Sequence, residues 1–132
     1  MKFSTRTTYG LRAIINLAKN KETSISLATI ARDEKISVKY LEKLFASLKK
    51  SKLVKSSKGV LGGYQLSKLP NKVTVFDIVQ CLEGDMNLFH CLDTSGKVFC
   101  GNKCNCQANY VLAKVQTSIN NTLKNITLDK LI

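Results

Sequence analysis

The chain has 132 residues, 44% of them hydrophobic, which is enough for one compact unit with a buried core and too few for two large domains. Its formal net charge is +12, and the excess is confined to one half: residues 1–72 carry 16 Lys and Arg against 4 Asp and Glu, residues 73–132 five of each. Apolar stretches such as Ala13-Ile14-Ile15 break well short of the about 20 residues that span a bilayer, and Met1 to Arg6 is not followed by the apolar run of a secretory signal, so the expected location is the cytosol.

The charged half opens with three short helices. The first runs from Ser4, a candidate N-cap, to Ala18, with Leu11, Ile14, Ile15 and Ala18 as its apolar stripe. The second starts after Ser26, carries Leu27, Ile30 and Ala31, and ends near Lys35. The third, Val38–Lys50, is the most strongly patterned. At about 100° per residue Leu41, Leu44, Phe45 and Leu48 fall on one face, and Lys39, Glu42, Lys43, Ala46 and Lys50 on the opposite one. One face packs and the other is presented. A short turn with Ser37 as N-cap joins the second and third helices, the helix-turn-helix arrangement whose second helix enters a major groove. A positive excess of this size beside a neutral half marks a polyanion partner, and a phosphate backbone is the natural one. The basic residues do not accompany an aromatic-rich apolar face, which argues against a membrane surface.

Leu53–Ser57 and Tyr64–Leu66 read as two short strands, and Gly59, Gly62 and Gly63 between them suit a tight connection: a β-wing with Lys58 at its tip. These glycines open no helix and no Lys-Ser or Lys-Thr follows them, so phosphate hydrolysis is unsupported. Residues 67–72, with Pro70, form a linker at which the charge excess stops. Thr74 and Asp77 then have capping-box spacing, and Ile78, Val79 and Leu82 make a short fourth helix ended by Gly84. Cys81, inside it, reads as a small core residue.

From Asp85 to Lys103 the periodicity is lost. Four of the chain's five cysteines, Cys91, Cys100, Cys104 and Cys106, fall within sixteen residues, separated by eight, three and one residues. In a reducing compartment this odd, clustered set speaks for metal or redox chemistry and not for a disulfide framework. Thiolates suit zinc and iron-sulfur clusters alike, and the spacing does not choose between them. A thiol enzyme using Cys104-Asn105-Cys106 is a rival reading, but the thioredoxin-like strand-helix pattern is missing. The last helix, Gln107–Lys124, carries Ala108, Val111, Leu112, Val115, Ile119 and Leu123 on one stripe, as a helix that pairs with its twin would.

Four segments together resemble the Rrf-two family of bacterial winged-helix regulators: Met1 to Thr5 leading into Tyr9-Gly10-Leu11-Arg12, Ile36 to Phe45, Leu53-Val54, and Lys58-Gly59 to Gly62-Gly63-Tyr64. The match runs the length of the chain and is nearest to the IscR type, the iron-sulfur regulators, with the NsrR and CymR types as sister branches. The resemblance implies a mainly α fold: a winged helix-turn-helix with a small β-hairpin wing at 1–83, a cysteine-bearing, cluster-binding loop at 84–106, and a long C-terminal dimerisation helix with a tail at 107–132. It implies a homodimer on a near-palindromic operator in double-stranded DNA, and no enzyme activity.

Carried over residue by residue, Glu42 matches the recognition-helix glutamate, whose carboxylate can accept a hydrogen bond from a cytosine amino group. Ser37, Lys39, Tyr40 and Lys43 accompany it on the DNA face, and Lys58 stands where the family often has a wing arginine. At Lys39 the IscR type has a small hydroxyl residue. The resemblance also tips the cofactor toward an iron-sulfur cluster, 2Fe-2S ahead of 4Fe-4S, with zinc as the alternative. Cys91, Cys100 and Cys106 match its cluster cysteines. For the fourth ligand the IscR type has histidine where Asn109 stands, and the NsrR type has aspartate where Thr8 stands. Cys104 is therefore the local candidate, ahead of His90.

Overall fold

The computed structural model describes residues 2–20, 23–59, 62–88 and 107–132. In chain order these form α1 (Thr5–Lys19), α2 (Leu27–Glu34), α3 (Val38–Lys50), β1 (Val54–Ser57), β2 (Gly63–Leu66), α4 (Val75–Glu83) and α5 (Gln107–Lys124). The mainly α winged helix-turn-helix expected from the sequence is thus the architecture found. Among the described residues, no helix is long and apolar enough to cross a membrane.

Local chemistry sets the helix ends. Ser26 and Ser37 cap α2 and α3, accepting from the Thr29 amide at 3.2 Å and the Tyr40 amide at 3.1 Å. Both helices finish on a lysine in the left-handed region, Lys35 at φ 55° and Lys52 at φ 60°. In each case the next amide reaches back along the helix, Ile36 N–H to the Ala31 carbonyl at 3.1 Å and Leu53 N–H to the Leu48 carbonyl at 3.0 Å. These are Schellman turns, which usually take glycine. They fix by backbone bonds the angle at which α3 leaves α2 and the chain enters the wing.

The core is built from Ile14 and Leu17 of α1, Ile30 of α2, Leu41, Leu44, Phe45 and Leu48 of α3, and Ile78 of α4, all fully buried. Each such side chain contributes about 1.5–3 kcal/mol relative to exposure. The buried stripe of α1 differs from the expected one: Thr7, Gly10, Ala13, Ile14, Leu17 and Ala18 are buried, and Leu11 and Ile15 only half so. The reason is Gly10, where an added Cβ would lie 2.2 Å from Leu82 Cδ1, so α4 approaches α1 along a line of small residues.

Nor does Ser4 cap α1 through its own side chain. Glu83, the last residue of α4, does that work: its Oε1 accepts from the Ser4 amide and the Ser4 hydroxyl, both at 2.7 Å, and from the Thr7 hydroxyl. Burial pushes the Glu83 carboxyl up, but the Thr7 and Ser4 hydrogen bonds and the nearby Arg6 charge outweigh it and hold the group below its ordinary value.

The end of the chain returns to this core. Leu128 is fully buried, its amide bonds the Val73 carbonyl at 2.8 Å, and the Val75 amide bonds the Ile126 carbonyl at 2.8 Å. Cys81 is half-buried against the same core, donating to the Ser47 carbonyl at 3.3 Å and accepting from the Ser51 hydroxyl at 3.1 Å. It packs as a small core residue.

Candidate nucleic-acid interface and cysteine segment

The outward face of α3 carries Ser37, Lys39, Glu42, Lys43 and Ala46, all exposed. This is the face that the periodicity of the helix presents. Val38, in the first turn and 41% exposed, joins it. Sequence reasoning passed over Val38 because it counted only polar side chains as contacts; an exposed methyl group at the start of such a helix is what a thymine methyl would meet. Tyr40 stands apart from the others. It is half-buried, its ring edge-on to Tyr9 with centroids 5.8 Å apart, and Arg12 sits 5.7 Å over the Tyr9 ring while pairing with Glu34 at 3.2 Å. Tyr40 therefore braces the start of α3 against α1.

The wing is tied both within itself and to its surroundings. β1 and β2 pair in register from Val54 opposite Leu66 to Ser57 opposite Gly63. Tyr64 then exchanges two backbone bonds with Ile25, at 2.9 and 2.8 Å, an isolated antiparallel bridge that ties the α1–α2 connection to β2. Gly63 makes that possible: an added Cβ would lie 2.3 Å from the Ile25 carbonyl oxygen. Finally, Phe45 packs edge-on to Tyr64 at 4.9 Å and Lys49 Nζ donates to Ser56 Oγ at 2.8 Å, which joins the wing to α3. Lys58 is exposed at the tip, next to Gly59 at φ 111°. The candidate interface is thus one helix face and one wing whose base is joined to that helix.

Cys91, Cys100, Cys104, Cys106 and His90 lie outside the described residues, and among the described residues no group of three or more His, Cys, Asp or Glu could hold a metal. What the structure describes are the two anchors of that segment, Met86–Leu88 before it and α5 after it. Asn109, in the first turn of α5, is buried, and Thr8 on α1 is exposed. As donors, four thiols offer the soft, anionic ligands that zinc and iron-sulfur clusters take. The Asn109 amide lacks the basicity of an imidazole and is a poor donor to such a metal; Cys104 and His90, the candidates for a fourth ligand, lie outside the described residues.

The orientation of α5 differs from a simple amphipathic helix. Its buried flank is polar, formed by Asn109, Gln116 and Asn120. The apolar stripe is turned partly outward: Val111 is 57% and Val115 39% exposed, Ala108 is exposed, and Leu112, Ile119 and Leu123 are half-buried. With Phe3 and Met86, Leu112, Val115 and Ile119 line a groove of about 400 Å³ along the helix that continues toward Leu123.

The chain matches over residues 3–132 the model of the Rrf2 family, described as an iron-dependent transcriptional regulator. Among curated proteins it is 30% identical to the HTH-type transcriptional regulator IscR of Klebsiella pneumoniae over 133 residues, covering all of this chain and 80% of that protein. Among solved structures it is similar to CymR, the global cysteine regulator of B. subtilis, with a TM-score of 0.83, 32% identity and coverage of 99% of this chain and 95% of that one. It is also similar to IscR of T. potens, with a TM-score of 0.79, 36% identity and coverage of 99% and 85%. These relatives are regulators and not enzymes. The chain belongs to the Rrf2 family and is a DNA-binding transcriptional regulator of the helix-turn-helix type.

Proposed function

We propose that this regulator senses iron-sulfur cluster status through a cluster held by Cys91, Cys100, Cys104 and Cys106, and that it controls iron-sulfur biogenesis genes as a homodimer on a near-palindromic operator. The observation that carries the reading is the set of four thiols within sixteen residues, placed between a basic reading head and a helix with an uncovered apolar stripe. Likeness of fold does not separate the iron-sulfur reading from a cysteine-regulator reading, since the TM-scores are 0.79 for IscR and 0.83 for CymR. The four clustered thiols separate this chain from a cysteine-regulator reading, and the resemblance of Cys91, Cys100 and Cys106 to the IscR-type cluster cysteines favours iron, as 2Fe-2S ahead of 4Fe-4S, with zinc as the alternative.

At the DNA, Glu42 reads a cytosine edge, Ser37, Lys39 and Lys43 hold α3 on the phosphates while Tyr40 braces the start of that helix against α1, and Lys58 places the wing tip at the adjacent minor groove. The shared exposed face of Ser37, Lys39, Glu42 and Lys43 supports this division. The stripe of Val111, Val115 and Ile119 pairs with its copy, which sets two recognition helices against two half-sites. When bound, a cluster supplies a cross-link between the thiols of the segment, and its loss removes that constraint. The experiment is iron and sulfide analysis with a visible absorption spectrum of protein purified without air. Bands with bound iron and sulfide support the proposal; a colourless protein containing zinc overturns it in favour of a structural metal, and a metal-free colourless protein overturns it altogether.

A further inference from the structure

Gln116 is a polar side chain with 0% exposure, and neither the DNA face nor the cysteine ligand set uses it. Its amide grips the segment after α4 at two points: Oε1 accepts from the Leu88 amide at 2.9 Å, and Nε2 donates to the Met86 carbonyl at 3.2 Å. Nε2 also donates to Asn120 Oδ1 at 3.1 Å, one turn further along α5. The side-chain amide thereby satisfies one backbone acceptor and one backbone donor of that stretch. Because the site is buried, the bonds are kept together or lost together.

The place of this clamp in the chain is what gives it meaning. Met86 and Leu88 lead into the cysteine segment, with Cys91 three residues beyond Leu88, and α5 begins at Gln107, directly after Cys106. Gln116 therefore ties the entry of that segment to the helix by which the chain leaves it. Upstream, the same stretch starts at Glu83, whose carboxylate holds the first turn of α1. Residues 86–88 are thus joined to α5 on one side and, through Glu83, to the start of α1 on the other.

We propose that Gln116 is the positioning residue that couples the cysteine segment to α5, so that a change of ligation alters the spacing of the paired reading heads; this rests on the function proposed above. The test uses the full chain, cluster-loaded and after chelation of its iron, with a duplex selected from a random pool. Operator affinity is measured beside hydrogen exchange at the Leu88 amide. In the unaltered protein the two forms differ by about tenfold in affinity and about tenfold in Leu88 exchange. Gln116→Met, which keeps the volume and removes every bond, brings the affinity ratio to within about twofold of one while iron content and helicity are retained.

A Gln116→Met protein that keeps the original ratio leaves Gln116 a packing residue and overturns the inference while the proposed function stands. A ratio of one in the unaltered protein with its cluster present overturns both. Should Gln116→Met fail to fold, Leu88 exchange in the unaltered protein still decides, because equal protection in the two forms contradicts coupling through this bond.

Discussion

Replacing Gly63 by alanine tests how the wing is held. The new Cβ would lie 2.3 Å from the Ile25 carbonyl oxygen, 2.4 Å from its carbon and 2.8 Å from the Ser26 nitrogen, all backbone atoms that no rotamer change moves. Restoring an ordinary contact of about 3.5 Å requires the two segments to part by about 1 Å. The Ile25–Tyr64 bonds, at 2.9 and 2.8 Å, would then stretch to roughly 4 Å and cease to be hydrogen bonds. Two backbone bonds at a net of about 1 kcal/mol each, with part of the Phe45–Tyr64 ring contact, give a loss of about 2–3 kcal/mol. Urea denaturation of Gly63→Ala measures it, beside Lys55→Ala, an exposed position on β1 that changes stability by less than about 0.5 kcal/mol. The re-aimed wing also weakens duplex binding. A Gly63→Ala protein within about 0.5 kcal/mol of the parent, binding DNA as tightly, would refute the close-approach account.

Three further outcomes follow from the same geometry. Glu83 has a lowered pKa in the folded protein, so its stabilisation is complete above the ordinary carboxylate value of about 4.3 and disappears as pH falls through the folded value. Glu83→Gln therefore lowers Tm most at neutral pH and least in acid, and an equal deficit at both ends of a pH series would contradict that linkage. Glu42→Ala relaxes base preference by about 1–3 kcal/mol at one cytosine position, whereas Lys43→Ala weakens all duplexes alike and reduces the salt slope by about 1. Equal losses on selected and random DNA for both variants would abolish the division of roles. Val115→Glu, on the outward stripe of α5, converts the dimer to monomer in sedimentation with helicity unchanged; a persistent dimer would show that the interface lies elsewhere.

What could be read from the sequence was local in origin. The α3 faces follow from a period of 3.6, and the capping box of α4 follows from Thr74 and Asp77 three residues apart, which bond each other's amides at 3.0 and 3.1 Å. The wing follows from glycines between two β-prone runs. What escaped depends on partners far along the chain. Gly10 is buried only because Leu82 comes to it, Ser4 is satisfied by a carboxylate 79 residues away, and Leu128 completes a core whose other members lie before residue 83. The rotation of α5 was hidden for the same reason, because a stripe of Val and Leu predicts that a face is apolar and not which neighbour covers it. On its polar flank, Gln116 is bonded to Met86 and Leu88. The metal expectation for Cys91, Cys100, Cys104 and Cys106 lies outside the described residues and stands on donor chemistry and family membership.

The most direct test of the account is a titration of air-free protein against its selected duplex, before and after its iron is chelated, at one fixed salt concentration. The account predicts iron and sulfide in the starting protein and an affinity change of about tenfold on their removal. Identical binding curves for the two preparations, or a starting protein with no iron, would contradict it.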